Sequence, residues 1–209
     1  MAESSKIIQL LIISKSKYDP QSPDSRWCYL GLYRSGQGRI CRPIPQQGFG
    51  QPNEKDFFWP LKYDFQVGET HEFEIAVSSQ NPISNQDNDP FPHRNDDIQV
   101  IHKRHVTEAA VVNMADMFKI LSPYAKTTIE EALGSQGMML TSDNGRQYVE
   151  EGKNCSSCGI CKFTKQEDLK LPPVPVLVII ELARPLSGKK KFDPRRCFQS
   201  DPVGVVSPS

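Results

Sequence analysis

The stretch that decides the fold is Ile7-Ile8-Gln9-Leu10-Leu11-Ile12-Ile13-Ser14, followed at once by Lys15-Ser16-Lys17. It is short, rich in isoleucine and ends on charge, which is the pattern of a buried strand. Gln9 breaks the apolar run and no small-x-small pattern follows Ile13, so the segment lacks the form of a secretory leader. The other long apolar run, Val174 to Ile180, is equally short. Both fall well below the roughly 20 residues of a membrane-spanning helix, and no membrane partner is expected.

Working outward from this strand, Asp19-Pro20-Gln21-Ser22-Pro23-Asp24 is a loop, because two prolines fix φ and remove N–H donors from any ladder. Trp27 to Tyr33 and Arg39 to Ile44 are the next two strands, with Ser35-Gly36-Gln37-Gly38 as the turn between them. A loop carrying Phe49, Phe57, Phe58 and Trp59 leads to Gly68–Ile75, where apolar and polar residues alternate with period two. Residues 78 to 95 are Asn, Gln, Asp and Pro with little to bury, and are expected to connect two modules. The spacing of Ala110, Met114, Met117, Phe118 and Leu121 predicts a helix from His105 to Leu121 that starts near Thr107 and Glu108, and a second runs from Thr127 to Leu133 before Gly134. A hairpin follows over Met138–Thr141 and Arg146–Val149, turned by Asp143-Asn144-Gly145. Val174 to Ala183, bracketed by Pro172, Pro173, Pro175 and Pro185, reads as a buried strand. The expected division is 1–77, a connecting and helical segment at 78–137, and a second β module at 138–209 with a cysteine-rich loop and a basic tail.

Of 209 residues, 37% are hydrophobic and 24% charged, the composition of a globular chain rather than a disordered one. The 25 basic and 25 acidic residues cancel to a net charge of zero. Nucleic-acid binding would therefore have to come from a local patch rather than from overall basicity.

One pattern runs through the first module: a strand ending Ser14-Lys15-Ser16-Lys17, then Trp27-Cys28-Tyr29-Leu30-Gly31, then Arg39-Ile40-Cys41-Arg42-Pro43-Ile44, then Gly68-Glu69 before a strand. It resembles the bacterial dual OB-fold domain family, best over residues 6 to 76 and by strand order over Asp96–His105 and Met138–Arg184. The resemblance implies an α+β, mainly β chain of two OB-like β-barrels joined by a helical segment. It also implies a nucleic-acid-binding role, since such barrels follow phosphates with basic residues and stack bases on aromatic rings. The residues it points to are Lys15, Lys17, Arg26, Arg34, Arg39 and Arg42, with Tyr29, Tyr33 and Trp59 as stacking rings. Each has an ordinary alternative: Arg42 paired with a carboxylate, Trp27 and Tyr29 in the core, and Lys15-Ser16-Lys17 as a solvated strand end.

The sharpest chemical feature is Cys155-Ser156-Ser157-Cys158-Gly159-Ile160-Cys161. Three thiolates at this spacing can converge on one metal if the loop wraps it, with Gly159 supplying a positive φ. Cys197 is the expected fourth ligand of a zinc site, with His102 or His105 as substitutes and an iron-sulfur cluster as the alternative. Such clustering suits a reducing, cytoplasmic compartment. Cys28 and Cys41, in strands, are expected to be buried small hydrophobes.

Arg184, Lys189, Lys190, Lys191, Arg195 and Arg196 against the single acid Asp193 form the largest basic excess in the chain, either a phosphate-binding patch or a solvated loop. His102-Lys103-Arg104-His105 is a second basic spot. Hydrolase and nucleotide-loop signatures are missing. Glu151-Gly152-Lys153 with Asp143 has the acid-x-lysine form of some metal-dependent nucleases, and His93 with Asp96 and Asp97 could form a general-base pair or simply a turn. The resulting expectation is a non-catalytic module that binds single-stranded or structured nucleic acid, with a structural metal. The alternatives are a scaffold subunit of a protein complex and a metal-dependent nuclease.

Overall fold

The computed structural model describes residues 5–17, 26–34, 40–45, 59–76, 97–104, 111–132, 140–143, 146–150, 158–163, 175–181, 191–192 and 205–206. The chain forms two compact units, Met1–Val111 and Val112–Ser209. It is mostly β, and no described helix is long and apolar enough to cross a membrane.

In the first unit five strands close on themselves: β1 (Ser5–Lys17), β2 (Trp27–Tyr33), β3 (Ile40–Pro45), β4 (Thr70–Ala76) and β5 (Asp97–Arg104), in the ring order β1-β2-β3-β5-β4. All neighbours are antiparallel except β3 and β5, which run parallel from Arg42 opposite Asp97 to Pro45 opposite Val100. The β2 ladder on β3 ends at Cys41, so Pro43 and Pro45 lie beyond it, where their missing N–H groups break no bond to β2. Gly68 takes φ 91° just before β4, a left-handed conformation that glycine adopts without steric cost. From there Gly68 N–H donates to the Ile12 carbonyl (2.8 Å) and Ile12 N–H to the Glu69 carbonyl (2.8 Å), which extends the pairing of β1 with the turn.

The interior of the ring holds Ile8, Leu10, Ile12, Tyr29, Cys41, Trp59, Phe65, Phe73 and Val100. Gly31 makes room for Leu10: a Cβ there would sit 3.0 Å from the Leu10 Cβ. Trp59 is central, with its ring 5.2 Å from Phe65, 5.4 Å from Tyr63 and 5.9 Å from Phe73, and its indole N–H donating to the Pro43 carbonyl at 2.8 Å. The other side of β1 and β2 is apolar as well, with Leu11, Ile13, Cys28, Leu30 and Leu32 all buried. These two strands are therefore covered on both faces and do not follow the half-buried alternation of a solvated sheet.

The second unit begins with α1 (Met114–Leu121), capped by Asn113, whose Oδ1 accepts from Asp116 N–H at 2.9 Å. A 3-10 turn over Ser122–Tyr124 ends it at Pro123. The short helix α2 (Ile129–Ala132) starts at Thr127 and Thr128, with the Thr127 hydroxyl donating to Glu131 (2.7 Å) and Glu131 N–H donating back to the Thr128 hydroxyl (3.2 Å). One three-stranded sheet joins β6 (Leu140–Asp143), β7 (Arg146–Glu150) and β10 (Lys191–Phe192). The other joins β8 (Cys158–Phe163), β9 (Val176–Glu181) and β11 (Val205–Val206), and α1 lies against β11. The central strand β9 is buried from Val176 to Ile179, and Met117, Leu121, Ile160 and Val206 are buried with it.

Several expectations need correction. No second barrel forms among the described residues, because β10 and β11 are two residues each and no pairing joins the two sheets. The first unit extends past residue 77 to Val111, and its closing strand β5 lies in what reads as a linker. Helix α1 starts at Met114 rather than His105, since residues 111–113 are not helical and Asn113, with an extended backbone, supplies the cap; Thr107 and Glu108 lie outside the described residues. The hairpin pairs Asp143 with Arg146 across Asn144-Gly145 as its sequence predicts.

Candidate nucleic-acid interface

The parity of β1 changes along its length, and this builds the candidate site. Up to Ile12, even-numbered residues point into the ring; between Ile12 and Ser14 the register with β2 shifts, leaving Ile13 as the extra residue of a β-bulge. Beyond the bulge Lys15 pairs with Tyr29 and Lys17 with Trp27, so the odd-numbered lysines now share the inner side with those aromatics. Without the bulge Ser14 and Ser16 would take those positions. The ring thus ends in a rim of two lysines and a tryptophan.

At this rim the Lys15 ammonium lies 4.1 Å from the Trp27 ring centroid and that of Lys17 5.2 Å from it. Two cations over one indole are attracted by its quadrupole. Trp27 is half-buried and held by backbone bonds to Trp59 in both directions (2.9 and 2.7 Å). Its indole Nε1 is buried, with no hydrogen-bond partner among the described residues. Lys15, with its side chain only 13% exposed, is ion-paired to Asp64, whose side chain is 54% exposed. Next along the chain Tyr63 leans edge-on against Trp59, and Lys62 lies 5.1 Å over the Tyr63 ring.

The residues expected from the sequence are distributed unevenly around this rim. Lys15 and Lys17 are on it, and Arg26 immediately precedes β2. Arg34, at the opposite end of β2, donates to the Thr70 hydroxyl at 3.4 Å. Arg42 is 3% exposed and cannot present itself to a phosphate, because β3 turns it to the apolar, buried outer side of the sheet. Tyr29 and Trp59 are core rings rather than stacking platforms: both are buried, and the Tyr29 hydroxyl donates to the Tyr63 carbonyl (2.6 Å) and accepts from Phe65 N–H (3.1 Å). Burial raises the Tyr29 ionisation well above the ordinary tyrosine value. Tyr33 is half-buried under Lys6, whose ammonium is 5.5 Å from its ring centroid.

Arg39, Lys189, Lys190, Arg195 and Arg196 lie outside the described residues, as do Glu151, Lys153, His93, Asp96 and His105, and Lys191 is described only as a backbone position of β10. For the metal set, Cys155 and Cys197 also lie outside them. The cluster's remaining segment differs from a wrapping loop: Cys158 to Cys161 is the first part of β8, paired with β9, and Cys161 is 1% exposed. Gly159 has no positive φ; among the described glycines that conformation belongs to Gly68. Gly159 is needed for another reason, since a Cβ would meet the Ala132 carbonyl carbon at 2.6 Å where α2 closes on β8. Among the described residues no group of three or more His, Cys, Asp or Glu is placed to hold a metal. Cys28 and Cys41 are buried, as their strand positions predict.

Asp64 and the Lys62–Tyr63 pair were not legible as site residues. Their relation to Lys15 spans almost fifty positions of chain and depends on a bulge that no turn residue announces. Comparison of the chain with protein-family models, with curated proteins and with solved structures finds no match.

Proposed function

We propose that the first unit is an OB-type barrel that binds single-stranded nucleic acid at its rim without catalysing a reaction, with Trp27 stacking on a base and Lys15, Lys17 and Arg26 following the phosphates. The observation that carries this reading is a tryptophan at the open end of a closed five-stranded ring with two lysine ammonium groups over it. Two further facts support it. The ring order β1-β2-β3-β5-β4 is that of a Greek-key barrel, and the rim lies where β1 passes into β2, one of the loop regions through which OB barrels hold oligonucleotides. The apolar, buried outer side of β1 and β2 directs the reading to the rim rather than to that face. The basic run from Arg184 to Arg196 enters the proposal as a second cationic segment on its charge alone. The cysteine cluster enters as a structural zinc site on its spacing alone, with Cys155, Cys158, Cys161 and Cys197 as ligands.

The test is titration of the protein with an oligothymidylate of about 15 nucleotides across a salt series. Trp59 is buried, so emission changes report Trp27, the other tryptophan of the chain. Quenching is expected, with a log–log salt slope near about −2 for three phosphate contacts on a single strand. Trp27→Ala should weaken binding at least about fivefold. Absence of quenching, or binding indifferent to salt, would remove the nucleic-acid reading and favour a protein-interaction surface.

A further inference from the structure

The proposed interface contains a group that works against it. Asp64 is an acid at the centre of a cationic rim: it pairs with Lys15, and Lys15 is at the same time the closer of the two cations over Trp27. The two contacts hold one side chain in one place, and Lys15 is far less exposed than its partner. An ammonium 4.1 Å from the ring centroid occupies the space in which a base would stack on that part of the ring.

Resting on the reading above, we infer that Asp64 is an intramolecular stand-in for the ligand's phosphate: it latches Lys15 over Trp27 in the free protein, and a nucleic-acid phosphate displaces it when a base takes the ring. In the exchange Lys15 leaves one anionic oxygen for another, and the displaced Asp64 carboxylate, its side chain 54% exposed, passes to water. Releasing the latch costs little. A partly exposed ion pair and one cation–π contact each contribute only modestly, and the strand's phosphate and stacking interactions replace both. The latch favours ligands that supply an anion and a ring together. A free phosphate offers no ring to replace the ammonium, and an uncharged aromatic offers no anion to replace Asp64. The ligand class is therefore an unpaired nucleotide within a strand. Trp27 and Lys17 serve binding directly, whereas Asp64 sets its affinity through Lys15.

The experiment is a thermodynamic cycle on the full chain with the same oligothymidylate, comparing wild type, Asp64→Asn, Lys15→Ala and the double variant, with thermal melts confirming that each is folded. Asp64→Asn is expected to bind about fivefold more tightly than wild type at low salt, the size of a partly exposed pair. In the Lys15→Ala background the same substitution should change affinity less than twofold, because the residue through which Asp64 acts is gone. An equal gain in both backgrounds, or no gain in either, overturns the latch while leaving nucleic-acid binding standing. Absence of binding by all four proteins overturns the binding reading and the latch with it.

Discussion

Tyr29 ties β2 to the segment that leads into β4, since its hydroxyl bridges the Tyr63 carbonyl and the Phe65 amide while its ring lies 4.8 Å from that of Phe65. Tyr29→Phe keeps the ring and leaves both backbone groups without their buried partner, which should lower unfolding free energy by about 1–3 kcal/mol in a urea melt. The same hydroxyl makes stability fall at high pH. Burial raises its folded-state pKa above the unfolded value of about 10, so below that value both states keep the proton and the contribution is intact. Above it the unfolded chain gives up the proton while the folded protein holds it, and stability is lost as pH rises. Melts between about pH 8 and about pH 11 should show this loss in wild type and a smaller one in Tyr29→Phe. That Tyr29 is a core residue was one of two readings open in the sequence; its opposite fate to Trp27, two residues away on the same strand face, was not. The difference is position along the ring, with Tyr29 in its interior and Trp27 at its end.

Strands announce themselves locally and their pairings do not, and the elements of this chain show where that boundary falls. Trp27–Tyr33, Val176–Glu181 and the Asn-Gly hairpin were legible because apolar runs and turn residues mark them directly. β5 was legible only through the family resemblance, which matches Asp96–His105 by strand order: Asp97-Ile98-Gln99-Val100-Ile101-His102-Lys103-Arg104 is mostly polar, and its place between β3 and β4 comes from partners distant in the chain. At Gly159 the glycine answers to a close approach between α2 and β8 and not to a loop conformation. Gly159→Ala should therefore destabilise the second unit, because a Cβ meets the backbone carbonyl of Ala132, which has no rotamer with which to escape. The loss expected is about 1–3 kcal/mol by chemical denaturation, with oligothymidylate affinity at the first unit unchanged.

At the scale of the molecule, zero net charge hides an uneven distribution, with lysines at one barrel rim and a basic run near the carboxyl end. A neutral protein with such patches should lose ligand steeply between low and physiological salt, which separates local phosphate contacts from bulk charge attraction. Metal content decides the cysteine proposal: about one zinc per chain, lost in Cys158→Ser, is the expected result, and a metal-free protein would reduce Cys161 to a buried apolar residue of β8. The ring itself has a consequence for how the protein is made. Its closing pairs join β3 and β4 to β5, the last of its strands to leave the ribosome. Until Arg104 has emerged, β3 and β4 each present an unpaired strand edge, and the parallel β3–β5 ladder must wait for a long loop to close. The first unit therefore faces its greatest hazard of misassociation as a nascent chain, and a stop codon between β4 and β5 would yield a sticky four-stranded fragment instead of a smaller barrel.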